Sequence, residues 1–311
     1  MNILSNSVAD YLALRRAMGF RLRKVGLALD NFAAFMEQQR ARHITTELAL
    51  RWAQQPTNVL PARWAYRLAI IRRFARHHSA LDPRTEIPPQ GLLPHRYSRG
   101  TPYIYTARQI QCLISAASEL SSTPGLRPLT YSTLIGLLAV TGLRVGESIG
   151  LNRDDVDFGN GMLTVRQSKL GKSRFVPIHP STRRVLSEYS HRRDQIFSAS
   201  TSPSFFVSDR GTRLTDRVVE KTFVRLSRSI ALGRSVGVRR PRLHDLRHTF
   251  AVETLLRWYR SGIDAEPHLI ELSTYLGHSR IGSTYWYITA VPELLRWAIR
   301  RSKNLGGSLR P

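Results

Sequence analysis

Five residues in the middle and last third of the chain have the types and order needed to cleave a phosphodiester. Arg144 is followed by His244 and Arg247, and then by His278 and Tyr287. Arginine presents a planar, permanently charged fork that suits phosphate oxygens, and histidine exchanges protons near neutral pH. Tyrosine can serve as a covalent nucleophile. The set therefore predicts a phosphate clamp, an acid or base and a nucleophile, which suffice for transesterification without a metal.

The local context of each residue sharpens this prediction. Arg144 lies in Thr-Gly-Leu-Arg-Val-Gly-Glu, and His244 and Arg247 are one helical turn apart in His-Asp-Leu-Arg-His. We expect Arg144 and Arg247 to hold the phosphate and His244 to accept the proton of Tyr287. His278, in Leu-Gly-His-Ser, would donate to the phosphate or position Arg247. A surface role for any one of these residues alone is the competing interpretation.

Alternatives remain open at several positions. His244 and His248 have the spacing of half a zinc site, although a single cysteine, Cys112, and the lack of a His-Glu-x-x-His sequence argue against one. His248 is otherwise interpreted as a core or supporting histidine. Tyr285 competes with Tyr287 as the nucleophile, since both lie in Ser-Thr-Tyr-Trp-Tyr. Lys169 or a histidine is the candidate acid for the leaving oxygen, and Lys172 lies on the same predicted turn as Lys169.

The charge of the chain indicates a polyanionic partner. The formal net charge is +25, and arginine supplies most of it. Codon bias in a GC-rich genome would explain the preference for arginine over lysine, but it would not explain the excess of basic over acidic residues. The predicted helix over 61–78 carries two basic pairs at i,i+4 spacing, which we expect to contact a nucleic-acid phosphate backbone unless they are ordinary solvated residues: Arg63, Arg67, Arg72 and Arg76.

Hydrophobic periodicity predicts a mainly α fold with a small β-sheet. Helical patterns cover 8–38, with a break at Gly19-Phe20, and 61–78, whereas prolines and glycines interrupt 83–102. Thr106 is a predicted helix N-cap, and 162–166 and 174–178 alternate like the strands of a hairpin. We therefore predict an all-α domain over 1–82, a basic linker over 83–104 and an α+β catalytic domain over 105–311. The last domain ends with a helix over 292–301.

The order Arg … Lys … His-x-x-Arg … Gly-His … Tyr resembles the tyrosine recombinase, or phage-integrase, family. In that family the nucleophile lies nine residues after the Gly-His histidine, which favours Tyr287 over Tyr285. Alignment of Arg174-Phe-Val-Pro177 with the family's Arg-x-Val-Pro strand favours Lys169 as the acid and leaves Lys172 as a phosphate contact. The N-terminal domain is similar to the family's core-binding domain.

This resemblance implies that both domains close around double-stranded DNA and that recombination proceeds through a 3′-phosphotyrosine and a Holliday junction. It implies that the reaction needs neither ATP nor a metal cofactor. It also implies a tetramer, formed by this chain alone or with accessory recombinases, that acts on two sites. The C-terminal helix would pass to a neighbour. The segments Tyr11–Phe20 and Ser283–Tyr287 are similar to those of recombinases from mobile elements, which favours integration or transposition.

A type IB topoisomerase-like enzyme, an inactive DNA-binding accessory protein and, less favoured, an RNA-binding protein are the alternatives. The start of the sequence has no signal-peptide pattern, and no apolar run reaches the length of a membrane span. We therefore expect a cytoplasmic protein without a membrane partner.

Overall fold

A computed structural model describes residues 3–20, 22–94, 100–123, 125–166, 173–198, 202–233, 240–278 and 280–306. The chain divides into two compact units, Met1–Gly100 and Thr101–Pro311. Over the described ranges both units are mainly helical, and the second also contains a small sheet. The predicted fold class is confirmed.

The first unit has four helices: α1 (Ile3–Ala17), α2 (Arg23–Gln38), α3 (Thr46–Gln54) and α4 (Pro61–His78). The predicted 61–78 helix has these bounds, with Pro61 in its first turn, where a missing N–H costs nothing. The predicted 8–38 pattern divides around Gly19, whose φ is +87°. The apolar faces of the four helices pack into one core. Its largest fully buried side chains are Trp52, Phe32, Phe74, Leu29, Met36, Ile44 and Leu68.

The predicted linker over 83–104 is shorter than expected, because the first half of this segment packs on the first unit. Glu86 accepts a hydrogen bond from the Thr46 N–H at 2.7 Å, and Leu93 is buried in the core. Arg72 donates to the carbonyls of Pro88 and Pro89, both at 2.6 Å. Prolines prevent a helix here, but their carbonyls still accept hydrogen bonds.

The second unit contains the remaining elements. Its helices are α5 (Ala107–Ser118), α6 (Leu126–Thr141), α7 (Val145–Gly150), α8 (Pro180–Ile196), α9 (Asp216–Ser229), α10 (Asp245–Arg260), α11 (Ala265–Leu276), α12 (Gly282–Ala290) and α13 (Pro292–Gly306). Thr106 is the N-cap of α5, as predicted, and it forms a capping box with Gln109. The strands β1 (Val156–Asp157), β2 (Met162–Val165) and β3 (Arg174–Pro177) form an antiparallel sheet in that order. The predicted hairpin is its β2–β3 pair.

Two apolar clusters stabilise the second unit. One joins α5, α6, the sheet, α8 and α9, while the other joins α10, α11, α12 and α13. Leu294 of α13 is fully buried in the second cluster, so this helix packs against its own chain. None of the helices that the structure describes is long and apolar enough to cross a membrane.

Candidate active site

Arg247 is a buried cation in the first turn of α10, with only 2% of its surface exposed. Its Nη1 donates to the Gly142 carbonyl at 2.8 Å and its Nη2 to the Leu276 carbonyl at 2.5 Å. Gly142 ends α6 at φ +61°, and this turn directs its carbonyl to Arg247. Burial and then the charge of Arg144 lower the pKa of Arg247 to about 10, so it remains charged at neutral pH.

Arg144 lies at the N-cap of α7 beside Arg247, and Glu147 fixes it there. The Arg144 N–H donates to Glu147 Oε2 at 3.0 Å, and its Nη1 donates to Oε1 at 2.6 Å. The second guanidinium nitrogen, Nη2, donates to the Gly277 carbonyl at 3.0 Å. Glu147 therefore fixes both the backbone and the side chain of Arg144 at this turn.

Glu147 is also bonded to Arg174, the first residue of β3. Arg174 Nη2 donates to Glu147 Oε2 at 2.8 Å, and Arg174 Nε donates to the Tyr275 carbonyl at 2.8 Å. Burial alone would raise the pKa of Glu147, but the hydrogen bonds from Arg174 and from the Arg144 backbone outweigh it and lower the pKa to about 2. Glu147 is therefore an anion between two arginines.

His244 precedes α10 at the edge of this cluster. Although the residue is exposed, desolvation by the surrounding protein and then the charge of Arg247 lower its pKa to about 4. The imidazole is therefore neutral at pH 7 and able to accept a proton. Over the described ranges, no group of three or more His, Cys, Asp or Glu residues is arranged to hold a metal ion.

Tyr287 is buried in α12, with 2% of its surface exposed, and its hydroxyl lies 3.0 Å from His248 Nδ1. The His248 ring packs edge-on against that of His244, with centroids 4.9 Å apart. Tyr285, the rival nucleophile, is 41% exposed. The two tyrosines therefore have opposite environments, and His248, which the sequence suggested only as a core or supporting residue, contacts the phenol.

His278 follows Gly277, which ends α11 at φ +65°. Its Nδ1 lies 2.8 Å from the Thr284 hydroxyl, and its ring is 6.4 Å from that of Tyr287, centroid to centroid. The structure thus brings together the five predicted residues Arg144, His244, Arg247, His278 and Tyr287. Their chemical roles remain predictions.

Sequence reasoning missed two groups in this cluster. Arg174 is predicted only as part of a strand, because its partner Tyr275 lies far along the chain. Thr284 has no predicted role, although its partner His278 is close in sequence. Their contacts with Tyr275 and His278 depend on how α11 and α12 pack against β3 and on each other. For His248, the four-residue spacing from His244 was the available signal.

The remaining predicted residues lie elsewhere. Lys169 and Lys172 are outside the described residues. Arg63 and Arg76 are exposed on α4. Arg67 donates to the Trp52 carbonyl at 2.9 Å and stacks over the indole ring at 3.7 Å, and Arg72 binds the proline carbonyls described above. These two guanidinium groups therefore have partners within the chain, and contact with DNA remains a prediction for all four arginines.

Comparison with known proteins identifies the class. Residues 104–293 match the phage integrase family. Over 305 residues the chain is 48% identical to y4rB of Sinorhizobium fredii, described as an integrase/recombinase, with 97% of each chain covered. It is 26% identical to tyrosine recombinase XerC of Chlamydia caviae, covering 89% of this chain and 91% of that protein.

A solved structure shares the fold. The Tn1549 transposon integrase in complex with transposon right-end DNA superposes with a TM-score of 0.67 at 17% identity, covering 96% of this chain and 98% of that chain. The chain belongs to the phage integrase family. It is accordingly a tyrosine recombinase, an enzyme that exchanges DNA strands at specific sites, as the ordered motifs predicted. Neither the topoisomerase-like nor the accessory alternative gains support.

Proposed function

We propose that Tyr287 Oη attacks the phosphorus of the scissile DNA phosphodiester, forms a 3′-phosphotyrosine bond and expels the 5′ oxygen. The 5′-hydroxyl of a partner strand then attacks the phosphotyrosine, restores a phosphodiester and releases Tyr287. One bond forms and one breaks in each step, so the phosphotyrosine conserves the bond energy and the reaction needs no nucleotide hydrolysis.

Each site residue has a role in this scheme. Arg144, Arg247 and His278 donate to the non-bridging oxygens, where charge develops in the transition state. His244, neutral at pH 7, accepts the phenol proton. A hairpin lysine, Lys169 in preference to Lys172, protonates the departing 5′ oxygen, as the resemblance implies.

The observation that carries this proposal is the convergence of both predicted clamp arginines at the end of α11. Arg247 and Arg144 donate to the adjacent carbonyls of Leu276 and Gly277, directly before His278. Tyr287 lies near this turn, with its ring 6.4 Å from that of His278, centroid to centroid. Because the phenol is buried, the residues that cover it or Tyr287 itself have to move before Oη can reach a phosphate.

The relatives favour a mobile-element substrate and a multimeric assembly. The Tn1549 protein is a transposon integrase bound to transposon DNA, and the more similar Sinorhizobium protein is described as an integrase/recombinase. We propose that four protomers, with or without accessory recombinases, act on two DNA sites in integration or transposition. Exposed Leu295 and Ile299 on α13 offer a surface for a neighbouring copy.

The test uses nicked suicide duplexes drawn from the DNA that flanks the gene. We expect a denaturation-resistant protein–DNA adduct in EDTA, with the DNA attached to the peptide that contains Tyr287. Tyr287→Phe should abolish this adduct, whereas Tyr285→Phe should retain it. An adduct that maps to Tyr285, or tight DNA binding with no adduct under any condition, would overturn the proposal.

A further inference from the structure

Three consecutive carbonyls at the end of α11 each accept a hydrogen bond from a different arginine. Arg174 donates to Tyr275, Arg247 to Leu276 and Arg144 to Gly277. The C-terminal end of a helix carries partial negative charge, so three cations are stabilised there. Two of these arginines are the proposed phosphate clamp, and the third, Arg174, has no role in the scheme above.

Arg174 is packed too closely to be a solvated surface charge. Its side chain is 12% exposed, and it lies against Gly277, where an added Cβ would be 2.7 Å from its Nη1. Real Cβ atoms do not approach other atoms so closely, so the absence of a side chain at residue 277 is what admits the guanidinium. Arg174 thereby limits where the Gly277–His278 turn can lie.

Arg174 and Arg144 share the same carboxylate. Glu147 Oε1 accepts from Arg144 Nη1 and from Arg174 Nη1, at 2.6 Å and 3.2 Å. Glu147 Oε2 accepts from the Arg144 N–H and from Arg174 Nη2, at 3.0 Å and 2.8 Å. Any movement of Glu147 therefore moves Arg144, and Arg174 supplies the opposing pair of bonds that fixes Glu147.

We propose that Arg174 is a positioning residue for DNA cleavage, which fixes the Arg144 guanidinium at the scissile phosphate through Glu147 and the Gly277 turn. This inference rests on the proposed role of Arg144. It requires arginine in particular, because Nε faces the Tyr275 carbonyl while both Nη atoms face Glu147. A lysine keeps the charge but has a single ammonium, which cannot reproduce this planar pair of contacts.

The test compares Arg174→Met and Arg144→Ala on two suicide duplexes that differ in one substituent of the scissile phosphorus. One duplex carries the natural scissile phosphate, and the other carries a methylphosphonate, in which a methyl group replaces a charged oxygen. We expect Arg174→Met to slow adduct formation about 10²-fold on the phosphate, the scale of a misplaced or lost catalytic donor. On the neutral methylphosphonate the deficits of both variants should shrink to less than about tenfold, because less negative charge develops in the transition state for an arginine to stabilise.

Two further variants separate positioning from general destabilisation. Arg183→Met removes an arginine that also donates to backbone carbonyls, those of Phe158 and Gly159, but contacts no site residue. It should cleave at the wild-type rate on both duplexes. Arg174→Lys should fold and retain most DNA binding but recover only part of the cleavage rate. In an Arg144→Ala background, Arg174→Met should slow adduct formation by less than a further factor of about three, since the effects of coupled residues are not additive.

The outcomes distinguish the two proposals. If the wild type forms no Tyr287 adduct, or if Arg144→Ala gains nothing from the methylphosphonate, the proposed clamp fails first. Suppose that the deficit of Arg144→Ala in adduct formation shrinks on the methylphosphonate, but that of a folded Arg174→Met or Arg174→Lys does not. Arg174 then has only a structural role, and the inference is overturned. Equal losses of Arg174→Met on both duplexes, matched by loss of DNA binding, lead to the same conclusion.

Discussion

Tyr287 and Tyr285 differ in exposure although they share one helix, 2% against 41%. We expect tetranitromethane to nitrate Tyr285 in the native protein and to leave Tyr287 unmodified. His248→Ala removes the imidazole that contacts the Tyr287 hydroxyl and leaves space beside it, so nitration of Tyr287 should rise severalfold. Mass spectrometry of the α12 peptide measures both tyrosines, and Tyr285 serves as the internal control. Equal nitration of both in the wild type would contradict the burial of Tyr287.

Glu147 gives the site a specific acid sensitivity. Its pKa in the folded state, about 2, lies below the ordinary 4.5, so its ionised form stabilises the fold above pH 4.5. This contribution disappears as the pH falls from 4.5 towards 2, and the shift corresponds to about 3 kcal/mol. Glu147→Gln should therefore be less stable than wild type by roughly this amount at pH 7, and the difference should close in acid.

Denaturant unfolding at a series of pH values measures this difference. The control is Glu253→Gln, because Glu253 is an exposed carboxylate on α10. Its difference in unfolding free energy from wild type should be small. A Glu147→Gln difference that stays constant down to pH 3 would exclude the ionic role of Glu147.

At the scale of the element, the end of α11 is constrained by both backbone and packing. Gly277→Ala should cost about 1–2 kcal/mol for a left-handed backbone and more for its contact with Arg174. Gly262→Ala is a matched control, because Gly262 has φ +71° and nothing within 4 Å of an added Cβ. We expect thermal unfolding to shift further for Gly277→Ala, and only this variant to slow cleavage. Equal shifts and equal cleavage would remove the packing argument.

Local signals were enough to predict several elements. The bounds of α4, the capping of α5 by Thr106 and the β2–β3 pairing follow from helical periodicity, a helix cap and strand alternation. These features depend on residues close in sequence, and the helix bounds depend on local hydrogen bonding.

Features that depend on distant partners were beyond these signals. Prolines predicted that 83–94 is not helical, but not that Arg72 binds the carbonyls of Pro88 and Pro89. The order of the motifs selected five residues of the site, whereas the burial of Tyr287 by α10 and α12, and its contact with His248, required the tertiary packing. Arg174 was overlooked for the same reason.

At the scale of the whole molecule, the cores of the two units share no residue. The core of the first unit draws on residues 4–93, and those of the second draw on residues 105–294. We therefore expect residues 101–311 to fold alone and to unfold cooperatively by circular dichroism. The fragment should bind DNA with a shallower dependence of log K on log salt than the full chain, because it neutralises fewer phosphates. An unfolded fragment, or an unchanged slope, would contradict the division.

The arginines that meet at the end of α11 come from three distant parts of the chain, at residues 144, 174 and 247. Loops between these positions can change in length without disturbing the meeting point. The last turn of α11 has no such latitude: one inserted residue rotates every following carbonyl by about 100° around the helix axis. Descendants of this gene can therefore diverge freely in loop length, but a single-codon insertion between residues 272 and 275 would disengage all three arginines at once.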